Sequence, residues 1–298
     1  MLFFLAGQFK VPVGSMFMAT VVPGALLIIL YLLYYLIRGW YRPPVQKAKQ
    51  AKQSNTDGDD YPTSSRGWIL LFVKGLLMPL ALITAVLGSI IMGLATPSQS
   101  GAIGAAGGLL LVAINGRLSW SLFKELARTT ANLSAMVFFI IIAAAVFSYP
   151  FRYFGGDTLI ADSLTALNIG PWGTLLLVVS VVFVLGFFID WIEITIITLP
   201  LFYPVLQTLD FAAHAGDGTL GMIWIAGITA LVLQTSFLTP PFGFALFFLK
   251  GSAPPGVTLA HIYRGVLPIL LIQIAVIAAV LCIPDIITWL PVQVYGHR

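Results

Sequence analysis

The sequence predicts an all-α integral membrane protein, a polytopic helix bundle with one re-entrant helical hairpin and one broken helix. Three observations lead there. Of the 298 residues, 59% are hydrophobic and only 9% charged, with a mean hydropathy of +0.99. A soluble domain has no way to bury that much apolar surface, whereas a bundle solvated by lipid does not need to. Apolar runs of membrane-crossing length recur along the chain, beginning at Met16. Apolar stretches are interrupted by polar side chains or proline at Thr96 to Gln99, around Asp190 and between Gln234 and Gly243.

Taken in order, Met16 to Ile37 is the first span, closing an N-terminal part (1–37). Residues 38–66 hold lysines, then aspartates, among Pro, Ser, Asn and Gly, and read as a flexible linker. Their excess of Lys and Arg places it in the cytoplasm. The remainder, 67–298, is one membrane unit. Trp68 to Ala95 is apolar, Thr96-Pro97-Ser98-Gln99 interrupts it, and Gly101 to Ile114 continues apolar. Leu118 to Thr129 carries Lys124, Glu125 and Arg128 and reads as an amphipathic arm at the interface. Leu133 to Tyr149 is a span, and Arg152 to Asn168 a polar stretch.

Trp172 to Ile189 is apolar, Asp190-Trp191-Ile192-Glu193 is not, and Ile194 to Leu206 is apolar again. That last piece has only 13 residues and contains Pro200 and Pro204, while a crossing helix needs about 20. Residues 172–206 are therefore expected to enter and leave on the same side, with Asp190 at the tip. Leu220 to Leu249 (220–249) follows as the broken helix, then a basic arm from Val257 to Arg264 and a last span from Gly265 to Ile283. Counting crossings from the cytoplasmic linker leaves Arg117, Lys124, Arg128, Lys250 and Arg264 inside and opens the hairpin to the outside.

Several classes are excluded. The net charge of +4 gathers on no face shared with stacking aromatics, so nucleic acid is not a partner. His214, His261 and His297 are too scattered for a metal site, and no phosphate loop or nucleophile elbow occurs. An enzyme is not expected, nor a cofactor. Cys282 sits in an apolar segment and reads as packing, His214 as a solvated loop residue, and Trp172, Trp191, Trp224 and Trp289 as interfacial anchors, with Trp191 also a candidate for lining a cavity. Gly104, Gly107 and Gly108 suit close helix packing.

The interruption Gln234-Thr235-Ser236-Phe237-Leu238-Thr239-Pro240-Pro241-Phe242-Gly243 carries the chemistry. Pro240 and Pro241 donate no backbone hydrogen bond and clash with the preceding turn. Carbonyls one turn upstream then face protein, water or an ion, because hydrocarbon offers them nothing. Broken membrane helices of this kind build ion and substrate sites in secondary transporters.

Three motifs resemble those of the large membrane subunit of TRAP (tripartite ATP-independent periplasmic) transporters. Gly93-Leu94-Ala95-Thr96-Pro97-Ser98-Gln99-Ser100-Gly101-Ala102 is similar to that family's G-x-A-T-P-T-E-A-A-A motif, with Gln99 where Glu is common. Gly186-Phe187-Phe188-Ile189-Asp190, followed by Leu199-Pro200 and Tyr203-Pro204, resembles its second hairpin. Thr239-Pro240-Pro241-Phe242-Gly243 resembles its T-P-P-V-G break. Asp190-Trp191-Ile192-Glu193-Ile194 and Leu233-Gln234-Thr235-Ser236-Phe237-Leu238 look most like the mannitol/chloroaromatic branch.

The resemblance covers the chain outside the linker and implies the second inverted repeat of an elevator-type, sodium-coupled importer. The implied setting is the bacterial inner membrane. The implied partners are a periplasmic solute-binding protein, a small membrane subunit and the N-terminal part of the large subunit, because the family's first hairpin repeat has no counterpart here. A truncated membrane subunit without transport of its own and a cation channel are the alternatives.

On this basis Thr239, Pro240, Gly186, Asp190 and Thr96 are candidate sodium residues, sodium being a hard cation that favours hydroxyl, carbonyl and carboxylate oxygens. Asp190, Glu193 and Gln234 are candidate substrate residues. Each has a structural alternative. The Thr239-Pro240-Pro241 break reads also as a packing kink whose carbonyls Ser or Thr hydroxyls satisfy. Asp190 and Glu193 form a D-x-x-E capping arrangement, and Thr96 to Gln99 a tight turn. Neither carboxylate suits direct contact with an anionic solute.

Overall fold

In the computed structural model the described residues are 1–41, 73–239, 246, 249–250, 253 and 258–296. The linker 42–66 and Pro240 to Gly243 of the helix break lie outside them.

The described residues form helices and no strand. Helix α1 is Leu2–Gln8 and α2 is Val13–Tyr41. A π-helical turn, Val73–Leu77, leads into α3, Met78–Ile91, and α4 is Pro97–Ile114. Then come α5 (Trp120–Tyr153), α6 (Gly156–Ala166) and α7 (Gly170–Leu185). Next are the single turn α8 (Trp191–Glu193), a π-helical turn at Ile194–Thr198 and α9 (Leu199–Leu206). Finally α10 is Ala212–Ala215, α11 Thr219–Ser236, α12 Leu259–Cys282 and α13 Asp285–Tyr295. Among these, α2, α4, α5, α11 and α12 are long and apolar enough to cross a membrane.

The helices join what the polarity of the sequence separates. The basic arm at Leu118–Thr129 and the span at Leu133–Tyr149 are one helix, α5, because Thr129-Thr130-Ala131-Asn132 contains neither Pro nor Gly to end it. The second arm likewise merges with the last span in α12, whose first turn is closed by a box in which the Thr258 hydroxyl accepts from the His261 N–H. The polar stretch after Arg152 contains α6, and residues past Ile283 form α13.

The chain divides into two compact units, Leu32–Thr129 and the rest (Met1–Tyr31 with Thr130–Arg298). In the larger unit α11 is the central element: most of its side chains are buried, with Ile223, Trp224, Ala226 and Ile228 fully so. It packs against α7, α12, α13 and α1. Gly227 lets α13 approach, since a β-carbon there would stand 2.7 Å from Ile287 Cδ1. Such small-residue contacts tighten bundles that lipid cannot drive together.

The last carbonyls of α12 find side-chain donors. Trp224 Nε1 donates to Val280 O at 3.0 Å, and His214 Nε2 lies 2.8 Å from Leu281 O. Two expectations change here. Trp224 is a core residue and not an interfacial anchor. His214, stacked edge-on against Trp172 and Trp224, closes a helix end and is not a solvated loop residue. Cys282, in contrast, is exposed.

In the smaller unit, α3 and α4 form a helical pair. The Ser89 and Ser100 hydroxyls bond across it at 2.9 Å, and the missing side chain of Gly107 leaves room for Leu82. Gly93, at φ +68°, makes the connecting turn.

Candidate functional site at a hairpin tip and a helix end

The segment expected to form the hairpin, 172–206, begins within α7. The last turn of α7 tightens as Phe187 N–H donates to Val184 O and Phe188 N–H to Leu185 O, at 3.1 and 2.9 Å. Asp190 then leaves the helical region (φ −72°, ψ 159°) and caps the returning arm, its Oδ1 accepting from Trp191 N–H at 2.8 Å. The returning arm is irregular for a covalent reason. Pro200 has no N–H to give, and the helix resets through the π-helical turn ahead of it, where Leu199 N–H reaches Ile194 O. Thr195 Oγ1 supports that turn by donating to Trp191 O at 2.6 Å. Pro204 cannot bond to the Pro200 carbonyl, and Arg152 Nη2 approaches that oxygen at 3.5 Å, so Arg152 has a partner within the protein. Arm α7 has 16 residues, about 24 Å, short of the roughly 30 Å of hydrocarbon a crossing helix must span.

The second half of the site is the end of α11. Regular winding stops at Ser236, and the chain continues in tighter i→i+3 bonds. Leu238 N–H donates to Thr235 O at 3.1 Å and Thr239 N–H to Ser236 O at 3.0 Å. The hydroxyls turn back onto the backbone: Thr235 Oγ1 to Leu231 O at 2.7 Å, Ser236 Oγ to Leu233 O at 2.8 Å, and Thr239 Oγ1 to Thr235 O at 2.8 Å. Among the described residues, then, the carbonyls at this helix end include several that already accept bonds, as a packing kink requires. A hydroxyl that gives its proton to a carbonyl still holds both lone pairs for an incoming cation. Thr239 is 8% exposed, so such a cation would leave bulk water to reach it.

Hairpin tip and helix end meet. A β-carbon on Gly186 would overlap the side chain of Ser236. Gly186 has an ordinary helical φ of −64°, so close approach alone, not backbone freedom, accounts for the glycine. Beside this contact is a cleft of about 390 Å³ lined by Met1, Trp191, Leu233, Gln234, Phe237 and Leu238. Gln234 is exposed on a helix otherwise buried around it, and it is the polar side chain of an apolar wall. Phe4 of α1 meets Trp191 edge-on at 5.9 Å and steadies it.

Of the candidate residues, Gly186 touches Ser236, Gln234 lines the cleft beside that contact, and Thr239 follows three residues after Ser236. Asp190 adjoins Trp191 but does not line the cleft. Glu193 does not line it either. Its Oε2 is buried and has no hydrogen-bond partner among the described residues. Pro240 lies outside the described residues. Thr96 belongs to the other unit, where it caps α4: its N–H donates to Gln99 Oε1 at 2.9 Å and its Oγ1 accepts from Gln99 N–H at 3.3 Å. Ser236 belongs to the interruption singled out in the sequence, but its pairing with Gly186 is not legible there. Its signal was faint, a small side chain at a helix end whose small counterpart lies fifty positions away.

Comparison with known proteins finds relatives of this sequence. Residues 1–286 match the family described as "Tripartite ATP-independent periplasmic transporter, DctM component". The chain is 28% identical over 289 residues to a C4-dicarboxylate TRAP transporter large permease protein of Pseudomonas aeruginosa, covering 96% of this chain and 61% of that protein. It is 24% identical to an ectoine/5-hydroxyectoine TRAP transporter large permease protein of Ruegeria pomeroyi, covering 93% of this chain and 59% of the relative. It is 25% identical to a sialic acid TRAP transporter large permease protein of Vibrio cholerae, covering 96% and 61%. The chain thus spans about 60% of the length of these curated relatives.

Proposed function

Because the chain belongs to the DctM family of tripartite ATP-independent periplasmic transporters, we propose that it forms the hairpin-bearing part of a multi-pass permease in the bacterial inner membrane. That permease would import a small organic acid or related solute delivered by a periplasmic binding protein. A sodium gradient would drive uptake, and a small membrane subunit would brace the assembly. The contact that carries this reading is Gly186 against Ser236, which sets a hairpin tip beside a helix end and leaves a cleft next to both.

In this proposal Asp190, Thr239 and the backbone at Gly186 and Pro240 supply oxygens for sodium, and Thr96 supplies the matching hydroxyl at the break of the smaller unit. Gln234 faces the solute. The solutes in the names of the three relatives above are carboxylates, and an amide N–H is a suitable donor to one where a second carboxylate would repel it. Glu193 keeps the solute's polar groups oriented from behind the tip. Hairpin and helix end would move together between outward-facing and inward-facing positions, with no covalent step.

The test is uptake driven by a sodium gradient in proteoliposomes holding this chain, the remaining permease segment, the small subunit and the binding protein. Uptake that needs both sodium and the binding protein supports the proposal. Ion conduction without the binding protein would make the assembly a channel, and no flux under any gradient would make the chain a packing subunit.

A further inference from the structure

Helix α5 is too long for the membrane it crosses. Its 34 residues extend about 51 Å, against roughly 30 Å of hydrocarbon. The apolar stretch Leu133 to Tyr149 accounts for the crossing, so the turns from Trp120 to Asn132 project beyond the lipid tails. On them Trp120, Lys124 and Arg128 recur at four-residue spacing and share one face of the helix. All three are exposed, Trp120 at 78%, and Trp120 stacks on Phe123 at 5.6 Å and 19°.

We infer that this face, Trp120–Lys124–Arg128, is a docking surface for anionic phospholipid headgroups of the inner leaflet. The stacked indole is amphipathic and suits the level of the glycerol and ester groups. Two cations one turn apart, on flexible stems long enough to converge, hold a phosphate diester between them. Continuity of α5 passes this anchorage directly to its membrane-crossing portion. The side on which the face lies rests on the inner-membrane permease reading and on the orientation expected from the charged linker, whereas the binding itself does not depend on transport.

The purified full chain in neutral detergent would be titrated with phosphatidylglycerol and, separately, phosphatidylcholine, counting retained lipid by native mass spectrometry. Phosphatidylglycerol should be preferred, and added salt should reduce the preference. The Lys124→Gln/Arg128→Gln double variant should bind it roughly thirtyfold more weakly, and Glu125→Gln, which removes the neighbouring negative charge, should bind it more tightly. Arg152→Gln, a loss of positive charge at the opposite end of the same helix, should change nothing. Equal binding of both lipids, an unchanged double variant, or an equal loss in Arg152→Gln would overturn the inference. So would a protein partner captured by the wild type and lost by the double variant while phosphatidylglycerol binding stays the same. Failure here leaves the uptake experiment untouched, because no transport is measured.

Discussion

Gly186 at the tip of the hairpin and Ser236 at the end of α11 touch so closely that no side chain fits between them. The contact ties two irregular backbone segments into one unit and fixes where Trp191 stands relative to Gln234. Gly186→Ala should therefore lower stability by about 1–3 kcal/mol, the usual scale of overpacking, and reduce uptake. Ser236→Gly removes the obstructing atoms, so the Gly186→Ala/Ser236→Gly double variant should recover thermal stability toward wild type. Additive losses in the double variant, measured by thermal unfolding in detergent, would show that the glycine is needed for some other reason.

Asp190 has two roles that substitutions can separate. As a cap it accepts from Trp191 N–H; as a proposed ion ligand it supplies charge. Asn retains an accepting oxygen and Ala does not, so Asp190→Ala should lose about 1 kcal/mol of stability and Asp190→Asn much less. Both should raise the sodium concentration for half-maximal uptake, by about tenfold or more. An Asn variant with the sodium response of wild type would leave Asp190 as a cap alone.

Glu193 gives the opposite expectation for stability. Its Oε2 is buried with no hydrogen-bond partner among the described residues, and a buried polar atom left without a partner is unfavourable. Glu193→Gln should leave thermal stability unchanged or raise it by about 1 kcal/mol. If Glu193 orients the solute, uptake should fall in the same variant. A stable protein with full uptake would remove Glu193 from the site.

Much of this was legible in the sequence, and what was not has a physical explanation. Prolines cannot donate, so Pro200 and Pro204 announced the irregular arm before any coordinates. The cap at Asp190 follows from local side-chain chemistry, but Glu193 does not close a box with it; the box forms at Thr96 and Gln99, where the sequence suggests only a tight turn. Helix continuity was less legible. Charges at Lys124 and Arg128 suggested a boundary, but a helix ends where its backbone bonding fails and not where its side chains become polar. Tertiary partners were not legible at all. His214 and Trp224 close α12 from positions 67 and 56 residues away from their acceptors, and no local pattern encodes such a pairing.

Thr239 tests whether the helix end is a kink or an ion site. Its hydroxyl donates to Thr235 O, which is structural, and its lone pairs are the proposed ligand. Thr239→Ser keeps both functions and should behave as wild type. Thr239→Val keeps the shape and loses both, with a stability cost of about 1 kcal/mol for the hydrogen bond and a weaker sodium response. Loss of stability with unchanged sodium dependence would assign Thr239 to packing.

Gln234 should separate solute from ion. It lines the cleft from a helix whose neighbouring side chains are buried, and no carboxylate or hydroxyl among the candidate ion ligands shares that wall. Gln234→Leu preserves approximate size and removes the amide. A hydrogen bond to a charged group contributes about 1.5–3 kcal/mol, so the half-saturating solute concentration should rise by roughly tenfold or more. The sodium response should be unchanged, because the amide stands outside the proposed ion ligands. Uptake measured over a range of binding-protein-delivered solute at fixed sodium, then over a range of sodium at saturating solute, distinguishes the two. A shift in sodium dependence with no change for solute would reverse the roles given to Gln234 and the hairpin tip.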